Sequence, residues 1–245
     1  MNHAEQGEGT AVVLLHQTPR SVDEYRDVMP ILAVRGYRAV AFDTPGFGES
    51  PPMAGEPSIE AWAGAIGEAI DGLGIERFAL VGHHTGGVIA VELARQHPER
   101  IAALVLSSAP LTDAAYHASA VDESSVDQGE DAESLRASRA NFYPGDRPDL
   151  LDRYAADALR AGDLRRRGHH IVAGYEMDVS PLTMPTLLIG ADADPYAFPQ
   201  LERMAAALPH AQTAVIAGGM VPLPDGWPEE FAGAVADFLD RAVGM

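Results

Sequence analysis

The sequence of 245 residues contains no cysteine and no lysine. Without thiols, disulfide bonds, cysteine nucleophiles and thiolate metal sites are all excluded. Because there is no lysine, all 17 basic residues are arginine, and a Schiff base on a lysine amine is excluded as well. Any catalytic chemistry has to use other side chains.

Positive charge is also scarce. The chain carries 36 acidic against 17 basic residues, a net charge of −19. A surface of this sign repels nucleic acid and anionic membranes, so neither is expected as a partner. A small-molecule substrate is the partner that we expect, and the composition does not indicate an oligomeric state.

Long apolar segments are missing as well. No apolar run approaches the length of a membrane span, and the first ten residues, MNHAEQGEGT, lack the basic start and apolar segment of an export signal. The sequence therefore predicts a soluble, globular, cytoplasmic protein. With 47% hydrophobic residues, one large α/β domain is favoured over two small ones.

The central pattern of the sequence lies in residues 78–94, FALVGHHTGGVIAVELA. The apolar run at its start predicts a buried strand, and the spacing of the apolar residues after Gly86 predicts a helix. Between them, Gly82 and Gly86 flank His84. This arrangement is typical of a tight turn in which glycines let two backbone segments cross closely.

This strand, turn and helix resemble the nucleophile elbow of the α/β-hydrolases. A second motif supports the resemblance: residues 43–50, DTPGFGES, follow a buried strand at 37–42 and are similar to the family's Asp-x-x-Gly-x-Gly-x-Ser turn. The chain is identified as an atypical member of the α/β-hydrolase superfamily, because His84 stands where the family places Ser, Asp or Cys.

The resemblance implies an α/β fold with about six parallel strands in a twisted sheet, helices on both faces and a helical cap. The antiparallel hairpin that often opens the fold is expected to be absent or cut to a fragment. The core is expected to comprise residues 1–110 and 185–245, with the cap inserted at 111–184. Within the cap, the acidic stretch 118–133 is expected to be mobile.

The catalytic triad of the family is only partly present. Asp194, in an Asp-Pro step after a buried strand, matches the triad acid better than Asp192 does. Met220 stands where the catalytic histidine is expected, so the usual acyl-serine mechanism is not available. We hypothesise that His84 bonds Asp194 directly or through one water and acts as a general base.

The resemblance also implies an oxyanion hole. The family's first strand ends in a His-Gly-x-Pro loop, which here has Gln17 in place of the glycine. Backbone N–H groups of the turn formed by Gln17 and Thr18, together with that of Thr85, are expected to stabilise an oxyanion or enolate. The flexible side chain of Met220 is expected to line the pocket beside them.

Of three polar residues near this pocket, two have two interpretations each. His16 either contacts the substrate or, as favoured, bonds nearby backbone. Arg20 either binds a substrate carboxylate or pairs with Asp43 or another acid. His83 is expected to be a structural, hydrogen-bonded histidine beneath the loop.

No cofactor and no metal ion are predicted. By residue type, His16, His84 and Asp194 would suit zinc or iron, but nothing in their spacing requires a metal. The tract 165–170, RRRGHH, favours a solvated helix end over an anion or metal site. Residues 169–171, beginning at His169, remain a candidate wall of the pocket.

Two functions remain open besides a third, a hydrolase that uses an unconventional nucleophile. The first is a cofactor-free enzyme acting on a small organic carbonyl compound, by ester or lactone hydrolysis or by a related decarboxylation, elimination or cyclisation. In it, His84 is the base and Asp194 orients it. The alternative is a non-catalytic ligand-binding or scaffold protein that retains the hydrolase pocket.

Overall fold

The computed structural model describes residues 1–118 and 129–243. Its strands form one sheet in the spatial order β1-β3-β2-β4-β5-β6-β7, in which only β1 runs antiparallel to its neighbour. The predicted mostly parallel sheet is therefore confirmed, with six parallel strands and one short antiparallel edge strand. The strands are β1 (His3–Gln6), β2 (Thr10–Leu15), β3 (Tyr37–Phe42), β4 (Phe78–His83), β5 (Ile101–Ser107), β6 (Thr186–Ala191) and β7 (Gln212–Ile216).

Both faces of the sheet are buried, because side chains along each central strand alternate between two apolar cores. In β2, Val13 and Leu15 point into one core, while Val12 and Leu14 point into the other. Helices cover each core, as the sequence predicts. The helices are α1 (Val28–Val34), α2 (Ile59–Gly72), α3 (Thr85–Gln96), α4 (Ala114–Ala118), α5 (Ala132–Arg139), α6 (Pro148–Ala161), α7 (Leu164–Ala173), α8 (Phe198–Ala207), α9 (Leu223–Gly226) and α10 (Pro228–Ala242).

The two cores are covered by different helices. Side chains of α2 and α3 pack into the first core with Met204 of α8, and side chains of α1 and α10 pack into the second. The carboxyl ends of the parallel strands lie along one edge of the sheet, so the loops after β2, β4, β6 and β7 gather there. This edge carries the candidate site.

The first helical segment is divided into two parts. The structure has a 3₁₀ turn at Val22–Tyr25 followed by α1. Ser21 does cap the first turn, accepting a hydrogen bond from the Asp23 amide. The turn is tighter because the Arg26 amide bonds back to the Asp23 carbonyl, three residues earlier.

The described part of the chain between β5 and β6 contains the four helices α4 to α7. Most of the acidic stretch predicted to be mobile, residues 119–128, lies outside the described residues, and its last part enters α5. None of the helices in the described ranges is both long and apolar enough to span a lipid bilayer.

Candidate active site

The turn between β4 and α3 depends on two glycines. A Cβ on Gly82 would lie 2.3 Å from the carbonyl oxygen of Gly86, and a Cβ on Gly86 would lie 2.0 Å from the carbonyl oxygen of Leu15. Neither position has room for a side chain. The glycines therefore let α3 start directly against β4 and the end of β2, which is the geometry that the sequence motif predicts.

His84 is at the apex of this turn. Its backbone has φ 48° and ψ −110°, in the left-handed region that non-glycine residues rarely adopt. The His84 amide donates a 2.8 Å hydrogen bond to the carbonyl oxygen of Ser107 at the end of β5, which helps to hold the strained backbone. The residue is half-buried, so the turn presents it at a surface that solvent reaches.

The imidazole of His84 faces a second imidazole from the helix α7. The ring centroids of His84 and His169 are 6.4 Å apart, with the rings at 74° to each other. His169 is buried. The sequence indicated this side of the tract only as a candidate pocket wall, because no spacing rule connects a helix in this segment to the elbow.

The first oxyanion candidate, Gln17, is already engaged. Its backbone N–H donates to Glu24 at 2.9 Å, and its side-chain amide donates to the other oxygen of the same carboxyl at 2.7 Å. The N–H groups of Thr18 and Thr85 are thus the candidates for oxyanion binding. The hydroxyls of these two threonines are buried and have no hydrogen-bond partner among the described residues.

Asp194 lies at the end of β6, as predicted, and is buried. Its carboxylate accepts hydrogen bonds from the backbone amides of Tyr196 and Ala197, both at 2.8 Å, and of Val221 at 3.1 Å. Within the described residues no hydrogen bond joins this carboxylate to His84. The direct form of the hypothesised pair is thus not observed, and the form bridged by water stays a prediction.

The loop that carries Met220 is tied to the loop of the acid. Besides the Val221 bond, the Ala193 amide donates to the Gly219 carbonyl at 3.0 Å, and the Gly218 amide donates to Asp192 at 2.7 Å. Met220 itself is half-buried. A backbone amide of this loop therefore bonds the carboxylate of Asp194, which the family's catalytic histidine would be expected to bond.

His16 has the structural role that the sequence favours. Its Nε2 accepts a hydrogen bond from the Thr44 amide at 3.0 Å, which leaves Nδ1 to donate to the Gln17 carbonyl at 2.8 Å. Burial lowers the pKa of this imidazole, so the neutral ring that these bonds require is also the favoured one. With both nitrogens engaged by backbone, His16 is not placed to bind a substrate or a metal.

His83 is fully buried and packs edge-on against the ring of Phe231. Its Nδ1 lies 3.1 Å from the hydroxyl of Ser107. Burial, with a smaller contribution from the neighbouring His84, lowers the pKa of His83 to about 3. The ring is therefore neutral at physiological pH and supports the turn from beneath, as predicted.

Arg20 pairs with acidic side chains, which is the second of its two predicted roles, but its partners are acids other than Asp43. It is fully buried, and its guanidinium donates to Asp225 at 3.1 and 3.0 Å and also to Asp157 of α6. Arg153 adds a second positive charge, 3.3 Å from Asp225. Arg20 thus ties the loop after β2 to α6 and α9 and is not exposed to bind a substrate carboxylate.

A metal site is not formed by the residues that the sequence suggested. Across the described ranges, no three histidine, aspartate or glutamate side chains are grouped so that they would hold an ion. His16 bonds backbone through both ring nitrogens, and the Asp194 carboxylate bonds backbone amides. The donors of the site are therefore the two imidazoles and the backbone N–H groups of the turns.

Comparison with known proteins identifies relatives of known activity. The chain is 35% identical over 112 residues to bifunctional epoxide hydrolase 2 of Sus scrofa, an alignment that covers 45% of this chain and only 20% of that protein. It is 35% identical over 111 residues to 2-hydroxy-6-oxo-6-phenylhexa-2,4-dienoate hydrolase of Comamonas testosteroni, covering 43% of this chain and 38% of that protein. The chain therefore aligns with less than half the length of each relative.

Solved structures match over nearly the whole chain. The enol-lactonase of Burkholderia xenovorans superposes with a TM-score of 0.79 at 21% identity, covering 97% of this chain and 95% of that one. At this identity the likeness shows the fold. The sequence profile of the family described as alpha/beta hydrolase fold matches residues 10–177, more than half of the chain. With the elbow, the parallel sheet and this match together, the chain belongs to the α/β-hydrolase family.

Proposed function

We propose that this protein is a cofactor-free hydrolase of small esters or lactones, in which His84 is the general base. The observation that carries the proposal is the placement of an imidazole at the strained, half-buried apex between two glycines that admit no side chain. Strained backbone of this kind is concentrated at functional sites. The named relatives, which are hydrolases, support the same reaction class.

The proposed reaction begins with a water molecule beside His84. As its oxygen attacks the carbonyl carbon, one water proton passes to the imidazole, and the π electrons of the carbonyl move onto its oxygen. The N–H groups of Thr18 and Thr85 stabilise the resulting oxyanion. One such donor contributes roughly 100-fold to 1000-fold in rate in other enzymes. Collapse of this intermediate restores the carbonyl and breaks the bond to the leaving oxygen. That oxygen takes the bonding electrons and one proton, which balances the proton gained by His84, and the products are an acid and an alcohol.

Asp194 is kept in this proposal as the group that orients the His84 ring through one bridging water. Its Oδ1 accepts two backbone hydrogen bonds, whereas its Oδ2 accepts one, from Val221, among the described residues. A carboxylate oxygen has lone pairs for a further donor. Oδ2 is therefore the atom that would receive the water.

The test compares wild type with His84→Ala on p-nitrophenyl butyrate and on the lactone dihydrocoumarin. A positioned general base typically contributes about 100-fold to 10000-fold, so we expect kcat to fall by about 100-fold or more with little change in KM. His170→Ala is the matched control, because His170 is exposed on the same helix as His169. Its kinetics are expected to equal those of wild type.

Two results would overturn the proposal. Turnover by His84→Ala at the wild-type rate would show that the apex imidazole does no chemistry. Absence of turnover of both compounds by wild type would favour a ligand-binding protein that retains the hydrolase pocket. Thermal melting of each variant shows whether the fold is intact.

A further inference from the structure

The helix α7 approaches the oxyanion loop more closely than a side chain would allow. A Cβ on Gly168 would lie 2.9 Å from both Oγ1 and Cγ2 of Thr18 and 3.4 Å from the ring of Phe47. Because residue 168 is glycine, α7 packs directly against the loop that contains Thr18. The N–H of Thr18 is a candidate donor to the oxyanion. The next residue along the helix is His169, which this approach brings above the elbow.

The two neighbouring histidines of α7 have different surroundings. His169 is 7% exposed and makes the ring contact with His84 described above, whereas His170 is exposed to solvent. Successive helix positions point in directions about 100° apart, so one ring faces the core while the other faces away. The site between the elbow, the oxyanion loop and α7 therefore contains two imidazoles.

We propose that His169 is a second catalytic residue, the general acid that protonates the leaving oxygen. This inference rests on the proposed function, in which His84 takes a proton from the attacking water. One imidazole that accepts a proton and a second that donates one are the two roles that ester hydrolysis needs. In the usual triad a single histidine performs both roles in turn.

The protons balance over one cycle. Water gives a proton to His84 as its oxygen bonds to the carbonyl carbon, and the oxyanion forms. When the carbon–oxygen bond to the leaving group breaks, the leaving oxygen takes the bonding electrons and a proton from His169. The cycle closes when the proton on His84 passes to His169 through water, over the short distance between the rings.

The leaving group tests this role directly. The p-nitrophenolate ion is a stable anion that leaves without a proton, whereas the ethoxide of ethyl butyrate needs one. For His169→Gln we expect kcat/KM to fall by about 100-fold or more on ethyl butyrate. On p-nitrophenyl butyrate we expect a decrease of less than about 5-fold, because the base and the oxyanion donors remain.

Activity on p-nitrophenyl butyrate is an internal check that the variant is folded. His170→Gln is the matched control and is expected to match wild type on both esters. His169→Asn is a second variant in case Gln distorts the helix, with the same expected difference between the two esters.

The outcomes separate this inference from the proposed function. Loss of both activities in His84→Ala, with wild-type hydrolysis of ethyl butyrate by His169→Gln and His169→Asn, would overturn the role of His169 alone. Equal losses on both esters in the two His169 variants would also overturn it, because an acid for the leaving group acts selectively. Failure of wild type to hydrolyse either butyrate ester or dihydrocoumarin would overturn both proposals.

Discussion

Gln17 and Glu24 are joined by two hydrogen bonds in the interior of the protein: the backbone and side-chain amides of Gln17 each donate to one oxygen of the carboxyl, at 2.9 and 2.7 Å. Glu24 is fully buried. Burial, together with the nearby charge of Asp225, raises the pKa of Glu24 to about 8. The residue that replaces the family's glycine is therefore held by a carboxyl that keeps its proton at neutral pH.

The raised pKa of Glu24 predicts a pH-dependent stability. Between its ordinary pKa of 4.5 and about 8, the folded protein holds a proton that the unfolded chain releases. Stability therefore decreases as the pH rises through this range, by on the order of a few kcal/mol from this group. Glu24→Gln removes the titration and retains an oxygen to accept one bond. The melting temperature of Glu24→Gln minus that of wild type should therefore increase from pH 5 to pH 8.

The control for this prediction is an exposed acid, and Glu8→Gln serves because Glu8 lies on the surface. Its melting curve should follow that of wild type at every pH. If the difference in melting temperature between Glu24→Gln and wild type stayed constant from pH 5 to pH 8, Glu24 would not be the group that holds the proton.

The buried network around Arg20 predicts a large loss of stability for Arg20→Met. The substitution leaves Asp225 and Asp157 buried without their main partner. Removing one partner of a buried ion pair costs about 3–5 kcal/mol, because the remaining charge is unpaired in a medium of low polarity. Chemical denaturation of the variant and of wild type under the same buffer measures this difference.

Arg35→Met provides the matched comparison. Arg35 also contacts two acids, Asp237 and Asp240, but at the surface, with 37% of its side chain exposed. Exposed ion pairs contribute little to stability because water screens the charges, so the denaturation midpoint should change far less than for Arg20→Met. Equal midpoints for the two variants would mean that the Arg20 network does not stabilise the fold.

The position of the strands and of the elbow could be predicted from the sequence because both depend on local patterns. The strand at 37–42 has the predicted bounds, since all of its residues except Arg38 are buried and apolar. The elbow follows from the spacing of two glycines around His84. These signals lie within a few residues of one another, where backbone sterics determine the structure.

The partners of Arg20 could not be predicted in the same way. Asp157 and Asp225 are 137 and 205 residues away in the chain. Neither has a sequence pattern that distinguishes it from the other 34 of the 36 acidic residues. The contact of His169 with His84 depends in addition on the missing side chain of Gly168, which reads in the sequence as an ordinary helix glycine. Such pairings depend on the packing of separate elements.

Opposite effects are expected for Gly→Ala substitutions at two glycines, Gly86 of the elbow and Gly64 of α2. Gly86→Ala would place a methyl group 2.0 Å from the Leu15 carbonyl oxygen, so β2 and α3 would have to separate. Overpacking of this kind typically costs about 1–3 kcal/mol and more where backbone must move. Gly64, in α2, has open space at the same point. Gly64→Ala should stabilise the protein by roughly 0.5–1 kcal/mol, because it favours the helix.

Melting temperatures of the two variants measure these effects. The expected order is Gly64→Ala above wild type and Gly86→Ala far below it. A Gly86→Ala protein that melts with wild type would show that the elbow does not need the close approach of the two backbone segments.

Asp194→Asn tests the two roles of the acid separately. In the structure Asp194 accepts three backbone amide bonds, from Tyr196 and Ala197 just before α8 and from Val221. An asparagine has one oxygen and an NH₂ group, which cannot accept, so at least one buried amide loses its partner. We expect a loss of about 1–3 kcal/mol of stability. Asp192→Asn is the control, because its bond to Gly218 is exposed and its loss costs less.

The kinetics of the same two variants then decide whether Asp194 also orients His84. If the carboxylate holds the ring through one water, Asp194→Asn should lower kcat on p-nitrophenyl butyrate by about 10-fold or more at unchanged KM, since a misoriented base transfers the proton less often. Assays are run well below the melting temperature of each variant. If Asp194→Asn turned over this ester as fast as Asp192→Asn, the role of Asp194 would be limited to holding the loop of Met220 in place. Asp194 would then not orient His84.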